Sequence, residues 1–266
     1  MNITDVGHLV SDGDIGEDKM EKGSKREGKT AWDIAEFYTK AFQSDMAKLN
    51  ILAPHVWCKA TDHIPEQVVM VQKLLDDGYA YETSDGVYFD TTKFPTYGDM
   101  ANLKNQKLEA GVRIEMGEKK NMHDFALWKF TPAGETRQME WDAFGKKGFP
   151  GWHIECSAMA LKYLGEHFDI HCGAIDHIPV HHTNEIAQTE SFTGQSPWVN
   201  VWMHGEFLNI KNETSDDKNA VEKMAKSGEN FLTLKVLTDR GYDPLAYRFY
   251  LLGSHYRTPI NFSYEA

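Results

Sequence analysis

Cysteine is scarce in this chain, and long apolar runs are absent. Three cysteines occur in 266 residues, widely separated at Cys58, Cys156 and Cys172. An odd and scattered set excludes a disulfide framework and fits a reducing compartment, where a thiol is buried or binds metal. No run approaches the ~18–20 apolar residues of a membrane span, and the opening segment MNITDVGHLVSDGDIGED lacks the apolar centre of a secretory signal. We therefore expect a cytoplasmic protein without a membrane partner.

Excess positive charge is also missing. Lysine and arginine number 28 against 40 aspartates and glutamates, giving a formal net charge of −12. Nucleic-acid-binding domains usually carry the opposite balance, so any contact with nucleic acid needs a local basic surface. Aromatic residues are plentiful, at 12% of the chain with seven tryptophans. This composition excludes a disordered polypeptide and allows one large domain or two small ones.

The first half of the chain predicts two helices followed by a hairpin. Apolar residues recur at helical spacing over 30–49 and again over 65–78, where a proline opens the helix and a glycine stops it. Aromatic and β-branched residues flank a TSDG turn over 79–90, which predicts a β-hairpin. From there to residue 150 we expect irregular structure around the apolar segment 124–130. We interpret 79–150 as an inserted α+β subdomain.

The second half alternates between strand and helix patterns. We expect GWHIE (151–155) to end a strand, CSAMALKYLGE to form a helix, HFDIHCG a buried strand, HHTNEIAQTESFTG a helix and VNVWMH a further strand. Strand–helix–strand repetition predicts a parallel sheet covered by helices on both faces. Such open sheets bind ligands at the carboxyl ends of their strands, where the polar clusters of this chain lie. The predicted fold class is α/β.

Cys156, His181 and Glu185 form the strongest candidate for a metal site. His181 and Glu185 are four residues apart on a predicted helix, so both project from one face and can hold one ion. Cys156 begins the helix of the preceding strand–helix unit. A thiolate, an imidazole and a carboxylate are a zinc-type set with a fourth position open. The alternative is a solvent-facing histidine pair and an unrelated buried cysteine.

Two further segments suggest a nucleotide site, and each also has an ordinary structural interpretation. Asp176 follows the strand at 167–173 and could accept hydrogen bonds from ribose hydroxyls, although such stretches are often only turns. Lys223 and Lys226 lie in the loop KMAKSG and could neutralise phosphates, although lysines usually lie on surfaces. Trp152 and Trp202 could line a pocket or belong to the core.

Taken in order, these segments resemble the cysteinyl-tRNA synthetases, which are class I enzymes with a Rossmann-like core. The resemblance covers nearly the whole chain, and the pair GWHIECSAM with HHTNEIAQ is its most specific part. The other similar segments are NITDVGHL (2–9), DFALWK (124–129), FDIHCGAIDHIP (168–179), WMHGEF (202–207) and KMAKSGENF (223–231). The resemblance implies a Rossmann-like catalytic core interrupted by the inserted subdomain.

The resemblance also implies a cysteine site. Cys156, His181 and Glu185 match three zinc ligands, and the zinc receives the thiolate of the substrate cysteine. Trp152 matches a tryptophan that lines the cysteine pocket, and Thr4 a threonine near the substrate amino group. Because serine differs from cysteine by one atom, size alone would discriminate only about 10–200-fold, and the sulfur preference of zinc supplies the rest.

An ATP site is the third implication. Asp176 matches the acid that contacts ribose, and Lys223 and Lys226 match the lysines of the KMSKS loop, which hold the ATP phosphates. The implied reaction joins cysteine and ATP, with Mg²⁺, into cysteinyl-adenylate and then transfers cysteine to tRNA(Cys). We expect a monomer in which catalysis is mainly positioning and charge stabilisation.

The chain departs from the family pattern at both ends. In the family, a first strand with a fourth cysteine ligand and the HIGH signature precede NITD, and a helical anticodon-reading region follows residue 266. We therefore expect a truncated core that binds zinc weakly and aminoacylates tRNA inefficiently. Its parts are the first half of the catalytic domain (1–78), the insertion (79–150), the second half (151–210) and the KMSKS-like loop with the start of the helical region (211–266).

Three other functions remain open at this point. The chain could be a cysteine ligase with a small amine acceptor in place of tRNA, similar to the mycothiol-pathway ligase. It could be a non-catalytic paralogue that acts as a binding or regulatory module. It could also be a zinc hydrolase with Glu185 or Glu155 as the base. The acceptor, the presence of cysteine activation and the presence of hydrolysis distinguish these alternatives.

Overall fold

The computed structural model describes residues 1–7, 19–103, 117–211, 221–223 and 233–264. The chain divides into two compact units. The first comprises residues 1–40, 54–170 and 177–201, and the second comprises residues 41–53, 171–176 and 202–266. Within the described ranges, no helix is long and apolar enough to cross a membrane.

The described α-helices are α1 (Lys19–Glu27), α2 (Ala31–Lys48), α3 (Ile64–Asp76), α4 (Trp152–Leu164), α5 (Thr183–Thr193), α6 (Leu234–Asp239) and α7 (Pro244–Leu252). The helices predicted over 30–49 and 65–78 are confirmed by α2 and α3. Pro65 lies in the first turn of α3, where its missing N–H costs no hydrogen bond. The helix predicted from 181 is confirmed as α5, which one turn of π-helix (Ile178–His182) precedes.

The described strands are β1 (Asn2–Ile3), β2 (Cys58–Lys59), β3 (Ala80–Glu82), β4 (Gly86–Phe89), β5 (Phe125–Phe130), β6 (Trp141–Ala143), β7 (Lys146–Pro150), β8 (Phe168–Ala174), β9 (Val199–Gly205), β10 (Leu208–Lys211), β11 (Val221–Lys223) and β12 (Ile260–Phe262). The predicted hairpin over 79–90 is confirmed by β3 and β4, which pair antiparallel. The strands predicted over 167–173 and 199–204 are confirmed as β8 and β9. The expectation that the first of them is buried is wrong, because its residues are half-buried or exposed.

Strands β3 to β7 form a five-stranded antiparallel sheet in the order β3-β4-β5-β7-β6. The expectation of irregular structure up to residue 150 is therefore wrong for β6 and β7. These two strands are joined by the two-residue turn Phe144-Gly145, and both residues have positive φ, at 53° and 73°. Such a turn matches the twist of a hairpin, but a phenylalanine at positive φ is not a turn signal that sequence reasoning recognises.

Parallel pairing occurs outside that sheet. β1 pairs parallel with β2, and β10 pairs parallel with β12 and antiparallel with β11. β8 and β9 form a two-stranded sheet. Phe168 N–H, at the start of β8, donates to the carbonyl of Trp198, directly before β9, so both strands begin at the same end and run in one direction. The predicted parallel strand–helix–strand unit is thus present in β8, α5 and β9.

The main core lies between the antiparallel sheet and helices α3, α4 and α5. Its fully buried members include Leu74 of α3, Phe89 and Trp128 of the sheet, Ile154 of α4 and Ala187 of α5. Burying each large apolar side chain contributes about 1.5–3 kcal/mol. This core packs α4 and α5 against the sheet, and the candidate metal ligands lie on those two helices and on the turn directly before α5.

The expectation that GWHIE ends a strand is wrong. The strand β7 stops at Pro150, and Trp152 already begins α4. Over three residues, the alternation Trp-x-Ile resembles a strand. Ile154, Ala158 and Leu161 all pack into the same core, however, and their spacing of four and three residues is that of a helix. Gly151 forms the junction, because a Cβ there would lie 2.0 Å from the carbonyl oxygen of Ala126.

Candidate functional site

A stripe of polar side chains runs along the buried face of α5 and the turn before it. His181, Asn184, Glu185 and Gln188 follow the spacing i, i+3, i+4, i+7 of one helix face. All four are buried, with at most 4% of each residue exposed. Polar side chains on such a face need partners or ligands, because burying them unpaired costs free energy. The helix therefore presents a polar surface towards α4.

The three predicted metal ligands meet at this surface. One donor atom each from Cys156, His181 and Glu185 lies within 4.8 Å of the others, and all three residues are buried. Cys156 lies on α4, His181 lies in the π-helical turn before α5, and Glu185 lies in the first turn of α5. The sequence could not show that these segments meet, and the structure brings them together. Their role as ligands stays a prediction.

The Cys156 thiol lies in surroundings that favour its protonated form. Burial raises the pKa of Cys156 well above its ordinary value, and the carboxylates of Glu185 and Glu155 raise it further. The amide of Asn2, whose Nδ2 lies 3.4 Å from Cys156 Sγ, acts in the opposite direction. A thiol beside carboxylates is unfavourable as a thiolate unless a cation is present. This electrostatic arrangement is typical of a site that a metal cation completes.

His181 is oriented by aromatic neighbours. Its Nδ1 lies 2.8 Å from Nδ1 of His153, so one ring donates a hydrogen bond to the other there. The tautomer in which His181 Nδ1 donates leaves the lone pair of Nε2 for a cation, and Nε2 lies 3.7 Å from Glu185 Oε1. Trp152 stacks on the His181 ring, with the ring centroids 4.4 Å apart. The predicted pocket residue Trp152 therefore contacts a predicted metal ligand.

A buried hydrogen-bond cluster holds α4 against α5. Gln188 Nε2 donates to Ser157 Oγ at 2.6 Å and to the carbonyl oxygen of His153 at 2.7 Å. Thr189 Oγ1 donates to Ser157 Oγ at 2.8 Å. We call Ser157, Gln188 and Thr189 the interhelix clamp. Because Ser157 follows Cys156 and Gln188 lies one turn beyond Glu185, the clamp sets the register between the ligand-bearing segments.

The chain start lies next to the metal-ligand candidates. Asn2 contacts Cys156 through its amide, and β1 pairs with β2 so that Asn2 lies opposite Cys58. Thr4 is exposed and comes two residues after Asn2. This placement puts the segment of Thr4 beside the metal-ligand candidates, and its predicted role near a substrate amino group stays a prediction.

The predicted nucleotide-binding residues are Asp176, Lys223 and Lys226, and the structure describes them only in part. Asp176 is exposed and follows β8 in the second unit, where His171 and Trp202 form an edge-to-face ring pair with centroids 4.8 Å apart. Lys223 ends β11, but its side chain lies outside the described residues, and so does all of Lys226. Their predicted contacts with ATP stay predictions.

Sequence reasoning missed the residues that support the ligands. Asn2, His153 and the interhelix clamp contact the candidate ligands or their helices, but no role was predicted for any of them from the sequence. The polar i, i+3, i+4, i+7 stripe of α5 was the available signal. On most helices that spacing of polar residues marks the solvent face, and here it marks a buried one.

Replacing Gln188 with leucine tests the interhelix clamp. The substitution removes both buried hydrogen bonds that Gln188 Nε2 donates, and the His153 carbonyl loses this partner. We therefore expect Gln188→Leu to lower the free energy of unfolding by about 1–3 kcal/mol. The exposed Gln72 of α3 provides the matched control, because Gln72→Leu should change stability by no more than about 0.5 kcal/mol. Chemical denaturation monitored by circular dichroism measures both, and equal effects at the two positions would contradict the clamp.

Comparison with known proteins gives the family. Residues 3–266 match the family described as tRNA synthetases class I (C), catalytic domain. Cysteine--tRNA ligase 1 of Burkholderia lata is 54% identical over 266 residues, which cover all of this chain and 55% of that protein. Cysteine--tRNA ligase of Treponema denticola is 49% identical over 267 residues, which cover all of this chain and 52% of that protein. The chain spans about half the length of these curated relatives.

A solved structure supports the fold. A Campylobacter jejuni protein assigned to the arginyl-tRNA synthetases superposes with a TM-score of 0.50 and 13% identity, covering 87% of this chain and 40% of that one. At this identity the likeness concerns the fold alone. Because the family match extends over nearly every residue, the chain belongs to the class I tRNA synthetase (C) catalytic-domain family.

Proposed function

We propose that this chain provides the cysteine-recognising core of a cysteine--tRNA ligase, which activates cysteine with ATP and transfers it to tRNA(Cys). The observation that carries the proposal is the convergence of Cys156, His181 and Glu185 between α4 and α5. Relatives that match the whole chain carry the name cysteine--tRNA ligase, which does not favour an amine ligase, a non-catalytic module or a hydrolase.

The donor set fits zinc. Thiolate, imidazole and carboxylate are the side chains that bind Zn²⁺ in proteins, and three protein ligands leave one position for a substrate. A divalent cation held by Cys156 and Glu185 would lower the raised pKa of the Cys156 thiol. When bound, zinc supplies a sulfur-preferring Lewis acid at this surface.

The protein residues around the donors then select and orient the amino acid. The Trp152 ring covers the His181 side of the site, so it restricts both the size of the substrate side chain and the access of water. His153 orients the His181 ring through the hydrogen bond between their Nδ1 atoms. Thr4, on the segment beside Cys156, is the proposed contact of the substrate amino group.

ATP, Mg²⁺ and tRNA complete the proposal. Asp176 is proposed to accept hydrogen bonds from the ribose hydroxyls, and Lys223 and Lys226 to neutralise the phosphates as pyrophosphate leaves. The five-stranded sheet of residues 80–150 supports the interpretation of 79–150 as an inserted subdomain. The cytoplasm as the location and a monomeric state also belong to the proposal.

Zinc binding by this chain is expected to weaken as the pH falls. In the metal-free chain the Cys156 thiol holds its proton at neutral pH, because burial and Glu185 raise its pKa. Zinc binds the thiolate, so one proton leaves on binding and the affinity should rise about tenfold per pH unit below that pKa. Competition with a chromophoric chelator between about pH 6 and 8 measures this slope.

Cys156→Ser is the matched control for that slope. It removes the titrating thiol with little change in volume, so the variant should bind zinc more weakly and with a flatter pH dependence. A slope equal to that of the unmodified chain would exclude Cys156 as a ligand.

Preference for cysteine over serine tests the proposed function most directly. We expect the zinc-loaded chain to bind L-cysteine more than about 200-fold more tightly than L-serine, because size alone supplies no more than roughly 10–200-fold and the thiol adds a metal–sulfur bond. Isothermal titration calorimetry with each amino acid measures the ratio. Comparable affinity for the two amino acids would contradict the proposal.

A further inference from the structure

Tyr97 of the inserted segment contacts α5, which carries the candidate ligand Glu185 and directly follows the turn that carries His181. Its hydroxyl donates a hydrogen bond of 2.7 Å to Oδ1 of Asn184. Asn184 belongs to the buried stripe of α5 and lies between His181 and Glu185, with 2% of the residue exposed. This hydrogen bond joins residues 87 positions apart in sequence, and it lies within one residue of Glu185.

The loop that carries Tyr97 is itself anchored to the antiparallel sheet. Asp124, directly before β5, is buried and accepts hydrogen bonds from the backbone N–H of Thr91 at 2.9 Å and from its hydroxyl at 2.8 Å. From Thr91 the chain runs to a turn in which Tyr97 N–H donates to the carbonyl of Phe94 at 2.9 Å. The Tyr97 hydroxyl is thus held at a fixed distance from the sheet.

The Tyr97 hydroxyl is a permanent donor in this setting. Burial raises its pKa above the ordinary value, and the negative charge of Asp124 raises it further. Tyr97 therefore stays protonated at neutral pH. Asn184 accepts this hydrogen bond through Oδ1, and the bond therefore orients the Asn184 side chain as well.

We propose that Tyr97 is a positioning residue for the metal centre, which it serves by holding α5 through Asn184 so that His181 and Glu185 face Cys156. The inference rests on the proposed zinc site. It assigns to the inserted segment a part in shaping the amino-acid site. The physical basis is the same as for outer-shell partners of metal ligands in general, whose loss weakens metal binding about 10–100-fold.

Tyr97→Phe tests the proposal in the full 266-residue chain. The variant keeps the ring and removes only the hydroxyl, so we expect zinc affinity to fall about 10–100-fold. With Co²⁺ as the probe, the ligand-field bands of the variant should shift or lose intensity, because the ligands adopt an altered geometry. A purely structural tyrosine would lower the melting temperature without changing the spectrum of the bound ion.

Tyr88→Phe is the matched control. Tyr88 is buried in β4 of the same sheet, and its hydroxyl donates to Asp85 at 2.9 Å and accepts from Lys129 at 2.8 Å. Its loss should lower thermal stability at least as much as Tyr97→Phe does. We expect its zinc affinity and Co²⁺ spectrum to match those of the unmodified chain.

Asn184→Ala is the second test variant, because it removes the acceptor of the Tyr97 hydrogen bond. If the hydrogen bond is the cause, Asn184→Ala weakens zinc binding and adding Tyr97→Phe to it produces no further loss. Additive losses in the double variant would overturn the proposal, and so would unchanged zinc affinity in Tyr97→Phe when the unmodified chain binds zinc. If the unmodified chain binds neither zinc nor Co²⁺, the proposed function itself fails and this inference with it.

Discussion

The packing of α4 against α5 is the constraint on which the candidate site depends. Each helix alone presents polar groups that are costly to bury, and they become acceptable because each faces partners on the other. The interhelix clamp joins Ser157 to Gln188 and Thr189 at 2.6 and 2.8 Å. Cys156 precedes the clamp on one helix, and Glu185 precedes it on the other. A shift of one residue in this packing would separate the donor atoms.

The strand–helix pattern could be predicted from the sequence where periodicity was strong. The helices over 30–49 and 65–78, the hairpin over 79–90 and the strands β8 and β9 follow from apolar spacing and turn residues. Besides the expected burial of β8, the predictions failed at two points where local signals competed. At 151–155 a three-residue alternation obscured the start of α4, and at Phe144-Gly145 a turn used an uncommon residue at positive φ.

The sequence predicts the three candidate ligands, which the structure brings together, but it does not predict the residues that support them. His181 and Glu185 share a helix face by spacing, Cys156 belongs to the preceding strand–helix unit, and the family resemblance matches all three to zinc ligands. His153 and Tyr97 act through contacts with sequence separations of 28 and 87 residues, and no local pattern encodes such contacts. The sequence thus indicates which chemistry the site uses, whereas the packing of the core determines how the donors are held.

The account depends on a sulfur-preferring metal bound between Cys156, His181 and Glu185. X-ray absorption at the zinc K-edge of the zinc-loaded chain measures the first coordination shell directly. We expect one sulfur, at about 2.3 Å, together with nitrogen and oxygen donors. Adding L-cysteine should raise the sulfur count to two, and adding L-serine should leave it at one. A first shell without sulfur, or one that L-cysteine does not change, would contradict the account.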